Sequence, residues 1–192
     1  MKLILVRHGE TLGNIKRIHE GARRHGRLSA KGKAQAQRLA ERLKTMTFDA
    51  IYCSDLRRAK QTLTAVKQHH KTPIVYLKEL READAGDFTG KHHDEADWTN
   101  PPKNAETTSQ VRTRAHHALE RALKEHPRGT VLFVSHGFLL ASLIKIITGD
   151  EKDHLHHNTA VSIFEINKDK KHKVHLINCC EHLPQELLSQ HA

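Results

Sequence analysis

The sequence predicts a three-layer α/β/α fold, with helices on both faces of a mostly parallel central β-sheet. Short apolar runs rich in β-branched residues alternate along the chain with segments of helical apolar periodicity. One run, Thr130–Ser135, is apolar through its interior, as a central parallel strand should be. A length of 192 residues fits one domain, so we predict a single domain over residues 1–192.

The first half of the chain predicts three strands and two helices. Ser29 is a suitable N-cap for the first helix, whose apolar residues recur on one face. The third strand begins with a proline, which favours an edge position because proline cannot donate a ladder hydrogen bond. In chain order, these elements are strand Lys2–Arg7, helix Ser29 to about Lys44, strand Asp49–Ser54, helix Arg57–His70 and strand Pro73–Leu77.

The second half predicts two helices and three strands, preceded by an irregular segment. That segment, at about residues 79–106, is rich in turn signals and is predicted to be a lid-like excursion from the fold. We expect the short tail after Glu181 to be loosely held. The elements are a helix from about Thr107 to His126, strand Thr130–Ser135, helix Gly137–Thr148, and strands near Val161–Ile166 and Val174–Ile177.

The composition narrows the class of protein. The net charge of +10 favours anionic partners, among them nucleic acids, acidic lipids and phosphorylated metabolites. Aromatic residues make up only 4%, so there is little material for stacking on bases and no nucleic-acid partner is expected. No apolar run approaches the length of a membrane span. Three cysteines without a C-x-x-C pair suit a reducing compartment, and we expect a cytoplasmic protein.

Charged and polar side chains follow several predicted strands. In open α/β sheets, ligands bind at the carboxyl ends of the strands, so these residues should converge on one crevice. Two arginines, two histidines and one glutamate make up this set: Arg7, His8, Arg58, Glu82 and His136.

This set suits phosphoryl transfer without a metal ion. Guanidinium groups match the oxygen atoms of a phosphoryl group in geometry and charge. A neutral imidazole is a competent covalent nucleophile, and a second imidazole can stabilise charge in the transition state. A carboxylic acid can protonate the leaving oxygen and then activate water.

Other catalytic chemistries fit the sequence poorly. A cysteine phosphatase needs C-x5-R, but only four residues separate Cys53 from Arg58. No D-x-D motif follows an apolar strand, and no G-x-x-x-x-G-K-[ST] loop is present. The chain has 18 histidines, but runs such as "DHLHH" at residues 153–157 lack the spacing of a four-ligand site. We interpret those histidines as solvated surface residues and expect no metal and no cofactor.

Four separated motifs resemble the histidine phosphatase superfamily, in its phosphoglycerate-mutase-like group. They are "LVRHGET" followed by Asn14, "YCSDLRRAKQT", "LREADAGDFTG" and "VLFVSHG". The resemblance implies the phosphoglycerate-mutase-like fold and a phosphohistidine intermediate on His8. It also implies that Arg7, Arg58 and His136 form the phosphate pocket and that Glu82 donates the proton.

The resemblance extends to residues around the nucleophile. A loop that commonly reads Gln-Gly in this family reads Glu20-Gly21 here, and "RIHEGARRHGR" around it is strongly basic. That loop is either a charged surface or a site for a second anionic group of the substrate. The implied substrate-binding residues are Asn14, Thr11, Gly137, Glu20 and Gly21, with a tight turn at Gly9.

The predicted function is therefore a metal-independent phosphomonoesterase that acts on a small phosphorylated metabolite. The runner-up is a 2,3-bisphosphoglycerate-dependent phosphoglycerate mutase. Hydrolysis is favoured because the stretch after Glu82 is short and the tail "EHLPQELLSQHA" offers the site little cover. A non-catalytic basic binding module is a third, less favoured reading, since a pure binder has no need for Glu82.

Overall fold

A six-stranded sheet forms the centre of the protein, in a computed structural model that describes residues 1–152, 156–167 and 172–189. The first four strands run parallel, and the last two run antiparallel to their neighbours. The strand order is β3-β2-β4-β1-β5-β6. The strands are β1 (Lys2–Arg7), β2 (Ala50–Ser54), β3 (Ile74–Leu77), β4 (Thr130–Ser135), β5 (Val161–Glu165) and β6 (Lys173–Cys179).

Helices cover both faces of this sheet, as predicted. They are α1 (Leu12–Ile15), α2 (Ala30–Leu43), α3 (Arg57–Lys67), α4 (Thr108–Glu125) and α5 (Gly137–Thr148). Successive side chains of β1 point to opposite faces, so Leu3 joins the core under α4 and α5 while Ile4 joins the core under α2 and α3. In the described part of the chain, no helix has both the length and the apolar character required to cross a bilayer.

The predicted elements agree with the structure except at short features. Strand β3 lies at the edge of the sheet, directly after Pro73, as the proline indicated. Helix α1 was not predicted, because four residues are too few to show helical periodicity. Its signal is local: the Thr11 side chain caps the helix in a reciprocal pair of hydrogen bonds with Asn14.

The segment between β3 and α4 contains only three short 3-10 turns, which are Lys78–Leu80, Gly86–Phe88 and His93–Glu95. It docks on residues 17–19 through backbone hydrogen bonds, among them His19 N to Lys91 O at 3.0 Å and Gly90 N to His19 O at 2.8 Å. Two ion pairs join the same segments: Arg17 with Asp94 at 2.9 Å and Arg23 with Asp84 at 2.8 Å. Part of the basic loop therefore pairs with the excursion.

The tail is held against the fold up to Ser189, so the expectation that it would be loosely held was wrong for the described residues. Lys31 Nζ of α2 donates to Leu188 O at 2.6 Å, and Gln35 Nε2 donates to Leu187 O at 2.8 Å. Ser189 Oγ donates to Asn158 Oδ1 at 2.9 Å. The tail is too short to show periodicity, so the sequence pattern could not indicate this docking, which depends on single hydrogen bonds between distant segments.

Candidate active site

The sheet order brings the two predicted histidines together. Strand β4 lies between β2 and β1, so the carboxyl ends of these three strands are adjacent, with Arg7 opposite Ser135. His8 and His136 follow these two residues, and their ring centroids are 5.0 Å apart. Both side chains are buried, with exposed fractions of 3% for His8 and 0% for His136.

Arg58 links the two imidazoles. It lies in the first turn of α3, just after β2, and is 1% exposed. Its Nε donates to His8 Nε2 at 3.2 Å and to His136 Nδ1 at 3.1 Å. The adjacent Arg57 is exposed, so of these two arginines only Arg58 contacts the imidazoles.

The same guanidinium holds the loop that follows the nucleophile. Arg58 Nη2 donates to Gly21 O at 2.9 Å, and Nη1 donates to Arg24 O at 3.1 Å. Gly21 has a φ of +51°, and a Cβ there would lie 3.1 Å from the carbonyl oxygen of Ala83. A side chain would therefore be strained in conformation and crowded against the excursion.

The hydrogen bonds of His8 select its tautomer. Its Nδ1 lies 2.8 Å from Gly9 O, and a carbonyl oxygen can only accept, so Nδ1 carries the proton. Nε2 then carries the lone pair, which accepts the hydrogen bond from Arg58 Nε. The tautomer that the structure favours presents Nε2 as a nucleophile.

His136 adopts the opposite tautomer. Its Nδ1 accepts from Arg58, so Nε2 carries the proton and donates to Ser54 Oγ at 2.8 Å. Ser54 ends β2 and is fully buried, so the end of one strand orients the imidazole that follows another. Sequence reasoning did not single out Ser54, because a serine at a strand end has no distinctive pattern.

The described residues engage the Arg7 guanidinium only in part. Its Nη1 donates to the carbonyl oxygen of His156. Its Nε is buried and has no hydrogen-bond partner among the described residues. Gly137, the first residue of α5, lies beside this guanidinium, and the positive end of the helix dipole points the same way. A buried, unpaired N–H next to a helix N-terminus suits an anion.

Glu82 is held at the rim of the site by its neighbours. Its Oε1 accepts from Ala83 N at 2.9 Å, and its Oε2 accepts from Phe138 N at 3.3 Å. Arg81, the preceding residue, pairs with Asp55 at 2.6 Å, which ties this segment to the end of β2. An open groove of about 450 Å³ adjoins Glu82 on the side of the excursion, between Arg81 and Arg114.

Three of the predicted substrate-binding residues form one hydrogen-bonded unit. Thr11 is fully buried; its Oγ accepts from Asn14 N at 2.9 Å and donates to Glu20 Oε2 at 2.8 Å. These contacts make Thr11 and Glu20 supports of the turn at residues 8–11, which holds the predicted nucleophile and is called the nucleophile turn below. A direct contact of either side chain with substrate stays a prediction.

Gly9 is required for close packing, not for its backbone angle. A Cβ at this position would lie 2.5 Å from the carbonyl oxygen of Gly32 in α2. Its backbone N–H donates to Thr62 Oγ1 at 2.9 Å. The nucleophile turn therefore presses against α2 and α3, a contact that only the tertiary structure defines.

Sequence reasoning missed the segment at residues 156–159. His156 was interpreted as a solvated histidine, but it is 0% exposed and its carbonyl holds Arg7, so that interpretation was wrong. Asn158 Nδ2 donates to His8 O at 3.0 Å, and Thr159 N donates to Arg7 O at 3.1 Å. Residues 153–155 of the same run lie outside the described residues.

Burial keeps both imidazoles neutral. Removal from water lowers the pKa of His8 and of His136 well below 6.5, and the positive charge of Arg58 lowers both further. Burial also lowers the pKa of Arg7 and of Arg58, although guanidinium groups stay protonated in proteins. The site thus combines two fixed positive charges with two neutral imidazoles.

This electrostatic arrangement predicts a loss of stability in acid. The unfolded chain binds a proton at each histidine below about pH 6.5, whereas folded His8 resists protonation, so stability is complete above that pH and falls as the pH decreases. One such group contributes a slope of about 1.4 kcal/mol per pH unit. Urea unfolding at pH 7.5, 6.5 and 5.5 should show a shallower acid slope for His8→Asn than for the unmodified protein. The exposed His116→Asn is the control, and equal slopes for all three proteins would contradict the prediction.

Metal ligands do not gather elsewhere in the described residues. No group of three or more His, Cys, Asp or Glu side chains there could hold a metal ion. His19 packs against His93 with centroids 4.3 Å apart and accepts a hydrogen bond from Trp98. Partial burial and the neighbouring His93 lower the pKa of His19 to about 4.

Comparisons with known proteins agree with the fold and with the predicted family. A sequence model of the histidine phosphatase superfamily (branch 1) matches residues 3–179. The uncharacterized phosphatase PhoE of Bacillus subtilis is 32% identical over 152 residues, covering 78% of each chain. The probable phosphoglycerate mutase GpmB of Cronobacter sakazakii is 32% identical over 163 residues, covering 78% of this chain and 75% of its own. The structure of Bacillus stearothermophilus YhfR superimposes with a TM-score of 0.86 at 31% identity, over 94% of this chain and 98% of that one.

Buried imidazoles and guanidiniums at the carboxyl ends of a parallel sheet define the class as a phosphoryl-transfer enzyme. Within that class, the chain belongs to the histidine phosphatase superfamily (branch 1), as its motifs predicted. Its sheet and flanking helices are those of the phosphoglycerate-mutase-like fold. The relatives named above are a phosphatase and a probable phosphoglycerate mutase, which favours an enzyme over a non-catalytic binding module.

Proposed function

We propose that this protein is a metal-independent phosphomonoesterase that hydrolyses a small phosphorylated metabolite through a phosphohistidine on His8. The observation that carries the proposal is the geometry of His8. Its Nδ1 is engaged by a carbonyl at 2.8 Å, and its Nε2 lone pair faces the buried Arg58 guanidinium. The three cysteines are free thiols, which supports the expected cytoplasmic location.

In the first half-reaction, the phosphoryl group binds between Arg7, Arg58 and His136. The unpaired Nε of Arg7 and the first turn of α5 supply donors for its oxygen atoms. The Nε2 lone pair of His8 attacks phosphorus, and the bond from phosphorus to the ester oxygen breaks. The carboxyl group of Glu82 donates its proton to that oxygen, so the alcohol leaves neutral and Glu82 becomes a carboxylate.

In the second half-reaction, water replaces the departed alcohol. The Glu82 carboxylate takes a proton from this water as its oxygen attacks phosphorus. The bond between phosphorus and Nε2 breaks, its electron pair returns to His8, and inorganic phosphate leaves. Two fixed guanidiniums stabilise the charge in both steps, a task that metal ions perform in other phosphoryl-transfer enzymes.

Hydrolysis and mutase activity can be separated in one experiment. We expect the purified protein to release phosphate from p-nitrophenyl phosphate and from at least one phosphorylated metabolite in the presence of EDTA. With 3-phosphoglycerate, 2,3-bisphosphoglycerate should not accelerate formation of 2-phosphoglycerate. Isomerisation that depends on 2,3-bisphosphoglycerate and exceeds phosphate release would overturn the proposal in favour of a mutase.

A further inference from the structure

We propose that Asn158 is a positioning residue that orients the amide of Asn14 for the phosphoryl group. The inference rests on the proposed phosphatase function and extends it to the segment before β5. Asn158 is 1% exposed and lies between the nucleophile turn and the tail. A buried amide at this place needs partners at both ends, because a lost hydrogen bond inside a protein is costly.

The partners of Asn158 define which way its amide points. Its Nδ2 lies 3.0 Å from His8 O, and a carbonyl oxygen can only accept, so the NH2 group faces the nucleophile turn. Its Oδ1 accepts from the Ser189 hydroxyl at 2.9 Å. The NH2 group therefore also faces Asn14, whose Oδ1 is 3.4 Å away.

Two donors then hold the amide of Asn14 in one orientation. Its Oδ1 accepts from Thr11 N at 3.0 Å and lies beside Asn158 Nδ2. Rotating this amide by half a turn would place its NH2 group against two N–H donors. Its own Nδ2 donates no hydrogen bond within the described residues, and Asn14 is half-buried. The free NH2 group suits a phosphoryl oxygen, which can only accept.

Asn158 thus acts on the substrate through Asn14 and does not touch the substrate itself. Removing its side chain leaves Asn14 with one donor fewer, so the amide samples the reversed orientation and presents an oxygen to the phosphoryl group. The partial negative charge of that amide oxygen repels the phosphoryl oxygens, so phosphate binding weakens. A role confined to general packing would instead weaken binding whether or not Asn14 is present.

A double-mutant cycle that measures the affinity for inorganic phosphate tests whether Asn158 acts through Asn14. Isothermal titration with inorganic phosphate is applied to the unmodified protein, Asn14→Ala, Asn158→Ala and the double variant. We expect each single change to weaken binding about tenfold and the double change to weaken it about tenfold as well, not a hundredfold. The KM for p-nitrophenyl phosphate should follow the same pattern, with kcat changed less than KM.

Control variants separate positioning from folding. Asn178→Gly removes the hydrogen bond to His157 N in the same segment without removing one to Asn14, and should change phosphate affinity less than about twofold even if the Tm falls. If Asn158→Ala does not fold, Asn158→Leu has a similar side-chain shape, carries no charge and cannot donate, and the same cycle applies. Additive losses of phosphate affinity in an active protein, or no loss of affinity in Asn158→Ala, would overturn this inference but leave the proposed function standing. An unmodified protein that neither binds nor releases phosphate would overturn the proposed function, and this inference with it.

Discussion

Replacing His8 with alanine is expected to lower kcat for p-nitrophenyl phosphate by at least about 10⁴-fold, since the covalent route is lost with the nucleophile. Nε2 is the imidazole nitrogen of His8 that carries the lone pair, because Nδ1 is protonated and donates to Gly9 O. Brief incubation of the unmodified protein with a radiolabelled phosphate ester should label the protein. The label should be lost in acid and survive in base, as a phosphorus–nitrogen bond does.

Two observations check this result. His116→Ala, which removes an exposed histidine on α4, should keep full activity and labelling. Thermal unfolding should show that His8→Ala remains folded. Turnover or labelling that persists in His8→Ala would remove the basis of the proposed mechanism.

Replacing Glu82 with glutamine should produce a loss that depends on the leaving group. An alkyl phosphate leaves as a poor alkoxide unless it is protonated, so its kcat/KM should fall about 10³-fold. p-Nitrophenolate leaves readily without a proton. For p-nitrophenyl phosphate, the rate constant of the phosphorylation step should therefore fall less than about tenfold. The comparison requires single-turnover kinetics, because Glu82 also serves the hydrolysis step.

Glu79→Gln is the matched control for this experiment. Glu79 is exposed and lies three residues before Glu82, in the same segment. Its replacement should change kcat/KM by no more than about twofold for either substrate. Equal losses for both substrates in Glu82→Gln would show that another group supplies the proton.

The sequence alone determined the layers of this fold and the residues that end its strands. Apolar periodicity depends on which face of an element is buried, so it identified the strands and the long helices from local patterns. Arg7, His8 and His136 follow strands that are adjacent in the sheet, and their convergence follows from that parallel arrangement. The edge position of β3 was also readable, because Pro73 precedes it.

The tertiary structure decided the contacts that join segments far apart in the chain. Ser54 orients His136 across 82 residues, and Asn158 reaches His8 across 150. Such polar contacts have no periodicity, and the same residue types occur at many exposed positions. The burial of His156 and the docking of the tail on α2 were missed for the same reason. Only the folded chain brings single donors to single acceptors, and that pairing defines the tautomers on which the proposed chemistry depends.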